Sequence, residues 1–223
     1  MSSELRGGTG VFTRSPRELT GLEYSRRLFL GTALAGLTSV LARPVFPRTL
    51  ASSAPMSAGL VQRALAALDQ HRDRIAFRDV VGIADFSLPS SAPRFHLLSL
   101  TDGSVMSYLV AHGRGSDPAH TGWLERFSNQ PHSYATSSGA YRTDGHYVGG
   151  HGPSIRLDGL DATNSNAASR AIVVHGAWYV SEQMIGRCGM LGRSEGCFAV
   201  DPSSLVAILS RLGPGRLIYA DKA

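Results

Sequence analysis

Between Ser57 and about Arg74 the apolar residues Leu60, Val61, Ala64, Leu65 and Leu68 recur at steps of three and four, the spacing that lines one face of an α-helix. One amphipathic helix is therefore expected to open the folded part of the chain. After it the pattern changes to short β-type runs at Val80 to Phe86, Phe95 to Leu100 and Val105 to Ala111. Branched and aromatic side chains favour strands because they pack well on a pleated surface. The last two runs are joined by Thr101-Asp102-Gly103-Ser104, whose central Asp-Gly predicts a hairpin turn. Residues 112–170 are rich in Gly, Ser, His and Asn, so loops are expected to gather there, with weak strands at Ala140 to Arg142 and Ser154 to Leu157. The β-branched run Ala171-Ile172-Val173-Val174 then leads into His175-Gly176. Asp201-Pro202-Ser203-Ser204 predicts a capped helix through Leu212, and Arg216 to Ala220 supplies a last strand. Strands in the body with a helix at either end predict a β-rich α+β domain.

Composition adds an address and removes a class of partner. The 223 residues are 43% hydrophobic and 17% charged, which fits one globular domain with a modest extension. The net charge of +5 is unevenly spread: residues 1–54 hold seven arginines against three glutamates, while the remainder holds 15 basic and 14 acidic side chains. The main body has no charge excess on the scale nucleic-acid binding uses, so no nucleic-acid partner is expected. Ser25-Arg26-Arg27-Leu28-Phe29-Leu30 precedes an uncharged run to Ala42, too short for the roughly 20 residues of a spanning helix. The paired arginines resemble a twin-arginine export signal, which implies the twin-arginine translocase as a partner and an exported protein of the periplasm or cell envelope. An uncleaved anchor and a buried helix are the other readings of this segment. The organisation expected is a signal segment over 1–42, a Pro- and Ser-rich linker over 43–58 and one folded domain over 59–223.

The residues that carry chemistry lie in Ser194-Glu195-Gly196-Cys197, a small-residue turn ahead of the helix capped by Asp201. Backbone N–H groups of Gly196 and Cys197 in such a turn would stabilise the oxyanion formed when a thiolate attacks a carbonyl. A thiol of ordinary pKa near 8.5 needs a basic neighbour at neutral pH, and His175 at the end of a strand is the natural one. Taken singly, His175 is explained as a structural histidine and Cys197 as a small buried hydrophobe. Cys188, nine residues before Cys197, is expected to be a buried thiol, with a disulfide between the two as the rival reading. No metal site is expected, because His112, His120, His132, His146 and His151 lack ligand spacing.

The arrangement His175-Gly176, an interval of similar length, then Ser194-x-Gly196-Cys197 resembles the L,D-transpeptidase family with its YkuD-type catalytic domain, in the murein L,D-transpeptidase branch. Tyr108 to Gly113, Phe127-Ser128-Asn129-Gln130-Pro131, Ser138-Gly139-Ala140-Tyr141, Gly150-His151-Gly152 and Leu157-Asp158-Gly159-Leu160 extend the likeness in the same order. The resemblance implies a YkuD-like mixed β-sandwich with flanking helices. It makes Cys197 the nucleophile, His175 the base, the Gly176 carbonyl the group that orients the imidazole, and Ser194 a residue that steadies the site. His151 and Tyr141 become candidate substrate contacts, with surface and core positions as their plainer explanations. The chain departs from the family at Glu195, where histidine is usual, and at Ala199. A carboxylate at 195 disfavours a nearby thiolate. The activity implied is acyl transfer on peptidoglycan stem peptides with loss of D-alanine and no cofactor. Hydrolysis of the same acyl-enzyme is an alternative. So are a non-catalytic peptidoglycan-binding module, a zinc hydrolase and a redox protein using the two cysteines.

Overall fold

A computed structural model describes residues 56–223. The signal segment and nearly all of the linker expected from the sequence lie outside the described residues. The order of elements is α1 (Ala58–Gln70), β1 (Val80–Asp85), β2 (Phe95–Ser99), β3 (Val105–Tyr108), β4 (Val110–Ala111), a 3₁₀ turn (Arg114–Ser116), β5 (Gly139–Gly149), β6 (Gly152–Gly159), β7 (Val173–Gly176), α2 (Glu182–Cys188), β8 (Phe198–Val200), α3 (Pro202–Leu212) and β9 (Leu217–Asp221). No helix among them is long and apolar enough to cross a membrane.

All nine strands join one mixed sheet in the order β3-β2-β1-β9-β5-β6-β7-β8-β4. The run Val105 to Ala111, expected as one strand, is two. Strands β3 and β4 are separated by Leu109 alone yet occupy opposite edges of the sheet, so the sheet folds over until its edges meet. The ring of Phe95 on β2 lies 6.4 Å from that of Phe198 on β8 although five strands intervene in the sheet order. This closure makes the mixed β-sandwich. It encloses a core of Phe86, Phe95, Tyr141, Ile155, Val174 and Phe198, completed by Leu205, Ile208, Leu209 and Leu212 from α3.

The opening helix packs on the outside of β1 and β9. Leu60, Ala64, Ala67 and Leu68 are buried against Val81, Ile83 and Leu217, each large aliphatic contributing roughly 1.5–3 kcal/mol by burial. Leu65, expected on that face, is more than a third exposed, because it lies one step round from the stripe. Asp201 caps α3 by accepting the Ser203 N–H at 3.0 Å, with Pro202 at the first helical position. The Asp-Gly hairpin forms between β2 and β3, with Gly103 at φ 72°.

The loop-rich middle is more regular than its composition suggests. Strands β5 and β6 form a long hairpin running well beyond Ala140 to Arg142 and Ser154 to Leu157. Past a bulge between Thr143 and His146 the hairpin leaves the core, and its largely exposed outer part is held by backbone pairing with no buried stripe to betray it. Helix α2 likewise buries none of its residues, so no periodicity marks it. Its signals are the Ser181 cap, which accepts the Met184 N–H, and the left-handed Gly189 at its end. Cys188, expected buried, is exposed at the end of this helix, and both cysteines are free.

Candidate active site

Strand pairing places the candidate base and nucleophile together. Strands β7 and β8 run parallel with Val174 opposite Phe198 and His175 opposite Ala199. Val174 and Phe198 point into the core. Alternation along a strand then turns His175, and Cys197 one residue before Phe198, onto the outer face. There they line a cleft of about 670 Å³.

The His175 Nδ1 lies 2.9 Å from the carbonyl of Gly176. A carbonyl only accepts, so Nδ1 carries the hydrogen and Nε2 keeps its lone pair. Burial pushes the imidazole below its ordinary pKa, the Gly176 contact opposing and the charge of His151 assisting. His175 is therefore neutral at pH 7. The ring of His151, on the turn between β5 and β6, stacks on it with centroids 4.3 Å apart and also lines the cleft.

The Cys197 thiol donates to the carbonyl of Ala171 at 3.5 Å, so at rest it is turned to that carbonyl and makes no hydrogen bond to His175. Burial raises its pKa; the Val173 amide, the Arg170 guanidinium and its own amide work the other way, and Glu195 adds to the rise. The carboxylate expected to disfavour the thiolate does so, but only behind burial. Glu195 is also paired with Arg114 at 3.1 Å on the rim, where the Arg114 guanidinium lies 3.7 Å from the centre of the Tyr134 ring.

Around the sulfur the backbone is tightly fixed. Ser194 Oγ donates to the Cys197 carbonyl at 2.7 Å and accepts the Gly196 N–H at 3.1 Å. This bears on one expectation: the Gly196 amide, expected to face an oxyanion, donates to Ser194 Oγ instead. Gly196 has φ +117°, and a β-carbon there would stand 2.8 Å from the Ala135 carbonyl, so glycine is required by both shape and space. Tyr141 is corrected too. It is fully buried in the core and donates its hydroxyl to the Ser137 carbonyl at 2.8 Å, so it lies away from the cleft. Among the described residues no three potential ligands cluster for a metal ion.

Three cleft residues, Arg170, Tyr134 and Tyr179, had not been singled out from the sequence. Arg170 bonds Ser128 O at 2.9 Å, Ser137 Oγ at 2.7 Å and the Ala135 carbonyl, tying the loop that carries His132 and Tyr134 to the strand of His175. His132 and Tyr134 adopt positive φ, 61° and 53°, an unusual conformation for non-glycine residues in a loop facing a cleft. Tyr179 forms another wall, its hydroxyl pushed up to about 12 by burial and then by Cys197 and Glu195. The signal for Arg170 was its place directly before the β-branched run that ends in His175; the other two sit in segments without a pattern.

Residues 53–220, well over half the chain, match the family model described as the L,D-transpeptidase catalytic domain. The chain belongs to this family. Among solved structures it is similar to an L,D-transpeptidase from Mycobacterium smegmatis, at 16% identity over 64% of this chain and 58% of that one, with a TM-score of 0.38. It is also similar to L,D-transpeptidase 3 from Mycobacterium tuberculosis in complex with a faropenem-derived adduct, at 14% identity over 65% and 60%, TM-score 0.40. A helical cell shape determining protein from Campylobacter jejuni shares 10% identity over 75% and 57%, TM-score 0.43. The chain thus spans under two thirds of the length of each of these proteins. No curated protein matches it.

Proposed function

We propose that this protein is an L,D-transpeptidase that acylates Cys197 with a stem tetrapeptide and passes the acyl group to an amine. The observation that carries the reading is the shared outer face of β7 and β8, which presents His175 with a free Nε2 beside Cys197 in one open cleft. In the first half-reaction the thiol turns from Ala171 to His175 and gives its proton to Nε2. The sulfur then bonds to the carbonyl carbon of the third stem residue, a diamino acid. The carbonyl oxygen takes the negative charge and is held by the Cys197 N–H. Collapse breaks the bond to the terminal D-alanine, whose nitrogen leaves with the proton from His175. In the second half-reaction an incoming amine loses its proton to His175 and attacks the thioester, and the sulfur departs and recovers the proton.

The neutral state of His175 supports this role, because a base must be unprotonated at the working pH. Water in place of the amine gives carboxypeptidase action at the same site. The test is incubation with disaccharide-tetrapeptide: release of D-alanine with formation of cross-linked dimers or exchanged D-amino acid supports transfer, release of D-alanine alone supports hydrolysis, and no release contradicts both.

Export to the periplasm or cell envelope by the twin-arginine translocase belongs to the same proposal and rests on Arg26-Arg27-Leu28-Phe29-Leu30. Changing Arg26 and Arg27 together to lysine should hold the precursor in the cytoplasm. Delivery of the wild-type chain in a strain without that translocase would overturn this part.

A further inference from the structure

Beneath the cysteine turn lies a buried ionic relay that the reaction above does not use. Arg94, fully buried, donates to His112 Nδ1 at 2.7 Å, to the Val110 carbonyl at 3.1 Å and to the Leu88 carbonyl at 2.7 Å. Because a guanidinium only donates, Nδ1 is the acceptor and Nε2 carries the hydrogen, which it offers to Asp117 Oδ2 at 3.3 Å. Asp117, also fully buried, accepts the amides of Thr121 at 2.7 Å and Gly122 at 2.9 Å. His112 is thus a neutral bridge between a buried cation and a buried anion, with its protonation pushed down to about 4 by burial and by Arg94. Asp85 and Arg193 are the other charged groups acting on the relay.

Two members of the relay, His112 and Asp117, and their chain neighbours grip the segment that carries Cys197. The His112 carbonyl accepts the Ser194 N–H at 2.9 Å, and the Arg114 N–H donates to the Ser194 carbonyl at 2.7 Å. The Asp117 and Pro118 carbonyls accept the Arg193 guanidinium. A β-carbon on Gly113 would stand 2.8 Å from Gly196, so the backbone at 113 lies flat against the turn. Ser194 in turn fixes the carbonyl of Cys197 and the amide of Gly196. The relay side chains are thus bonded to the 110–122 backbone, and that backbone is bonded to Arg193 and Ser194 beside the nucleophile.

We propose that Arg94, His112 and Asp117 form a positioning relay that holds the Ser194–Cys197 turn in register with His175, so that His112 controls the rate of acylation without touching substrate. Burying three polar groups where apolar ones would fill the same space is costly, and a fixed geometry is what such a network supplies. A displacement of the turn by about 1 Å lowers a rate by on the order of 10²-fold.

The inference rests on Cys197 being the acylated residue, and its test separates the two. Wild type, His112→Gln and Asp117→Asn are mixed with a carbapenem, and the adduct is followed by intact-protein mass spectrometry across concentrations. Failure of wild type to form an adduct overturns the functional reading and this inference with it. Given a wild-type adduct, the relay predicts that the limiting rate constant falls at least tenfold in both variants, with the half-saturating concentration unchanged and the final amplitude complete. A purely structural role predicts wild-type rate constants with reduced amplitude, from a smaller folded fraction, and that result overturns the inference. So does failure of both variants to yield folded protein by circular dichroism, since the relay would then determine the fold itself.

Discussion

Two His-Gly pairs flank the strand that follows the nucleophile, and the same dipeptide does opposite things in them. Strand β8 lies between β7, which carries His175-Gly176, and β4, which leads into His112-Gly113; Ala199 is paired with His175 on one side and Ala111 on the other. At His175 one nitrogen is anchored to a carbonyl and the other faces an open cleft. At His112 both nitrogens are engaged, one by Arg94 and one by Asp117, and the ring is sealed. An imidazole with a free nitrogen moves a proton, while one with none holds a position. The difference comes from the neighbouring strands and loops, since the histidine and its following glycine are alike.

The largest effect that would break this contrast is at the nucleophile. Cys197→Ala should abolish D-alanine release from disaccharide-tetrapeptide, and Cys188→Ala should leave it at the wild-type rate, because Cys188 sits exposed on α2 outside the cleft. Equal loss in both variants would remove Cys197 from its role.

Next in size is the open histidine. His175→Ala should slow acylation by roughly 10²- to 10⁴-fold, the usual contribution of a general base. Its pKa is lowered by burial, so the acid limb of kcat/KM in wild type should fall below the ordinary imidazole value of about 6.5. Below that limb the ring is protonated and cannot accept from the thiol. A limb at or above 6.5, measured by D-alanine release from pH 5 to 8, would contradict the assignment.

The sealed histidine should appear in stability as well as in the acylation rate. With a folded pKa of about 4 against about 6.5 in the unfolded chain, His112 binds fewer protons when folded across that window. Stability therefore falls as pH drops through it, by about 2 kcal/mol between pH 7 and pH 5 from this group. Urea unfolding should show that share of the acid loss missing in His112→Gln, and an unchanged pH dependence would show that the ring is not held neutral.

The smallest effect is at the rim. Glu195 raises the Cys197 pKa, but its carboxylate is well exposed and paired with Arg114, so Glu195→Gln should speed iodoacetamide alkylation at pH 7.5 only about two- to threefold. A slower reaction would reverse the sign assigned to this residue.

How far these features were legible follows from what each leaves in a sequence. The cap at Asp201, the Asp-Gly hairpin and the strand ending in His175 rest on local rules, and each stands where the pattern placed it. The break at Leu109 was not legible, because it depends on the sheet closing on itself rather than on any change along Val105 to Ala111. Tyr141 carried two readings, a substrate contact and a core position as the plainer one, and it is core, since alternation on β5 is set by pairing with β6 and β9. The Gly196 amide looked free until the Ser194 hydroxyl was placed. Arg94 and Arg170 reach partners as far as 18 and 42 residues away, and Asp117 gathers His112, Thr121 and Gly122 in a loop without a repeating pattern, so no spacing in the chain announces these contacts.

The central claim is that Cys197 is a live acylating nucleophile. Intact-protein mass spectrometry after incubation with a carbapenem tests it most directly, followed by peptide mapping of the adduct. A single covalent adduct on wild type and on Cys188→Ala, located at Cys197 and missing from Cys197→Ala, is the predicted result. No adduct on wild type, or an adduct that survives the Cys197→Ala change, would contradict it.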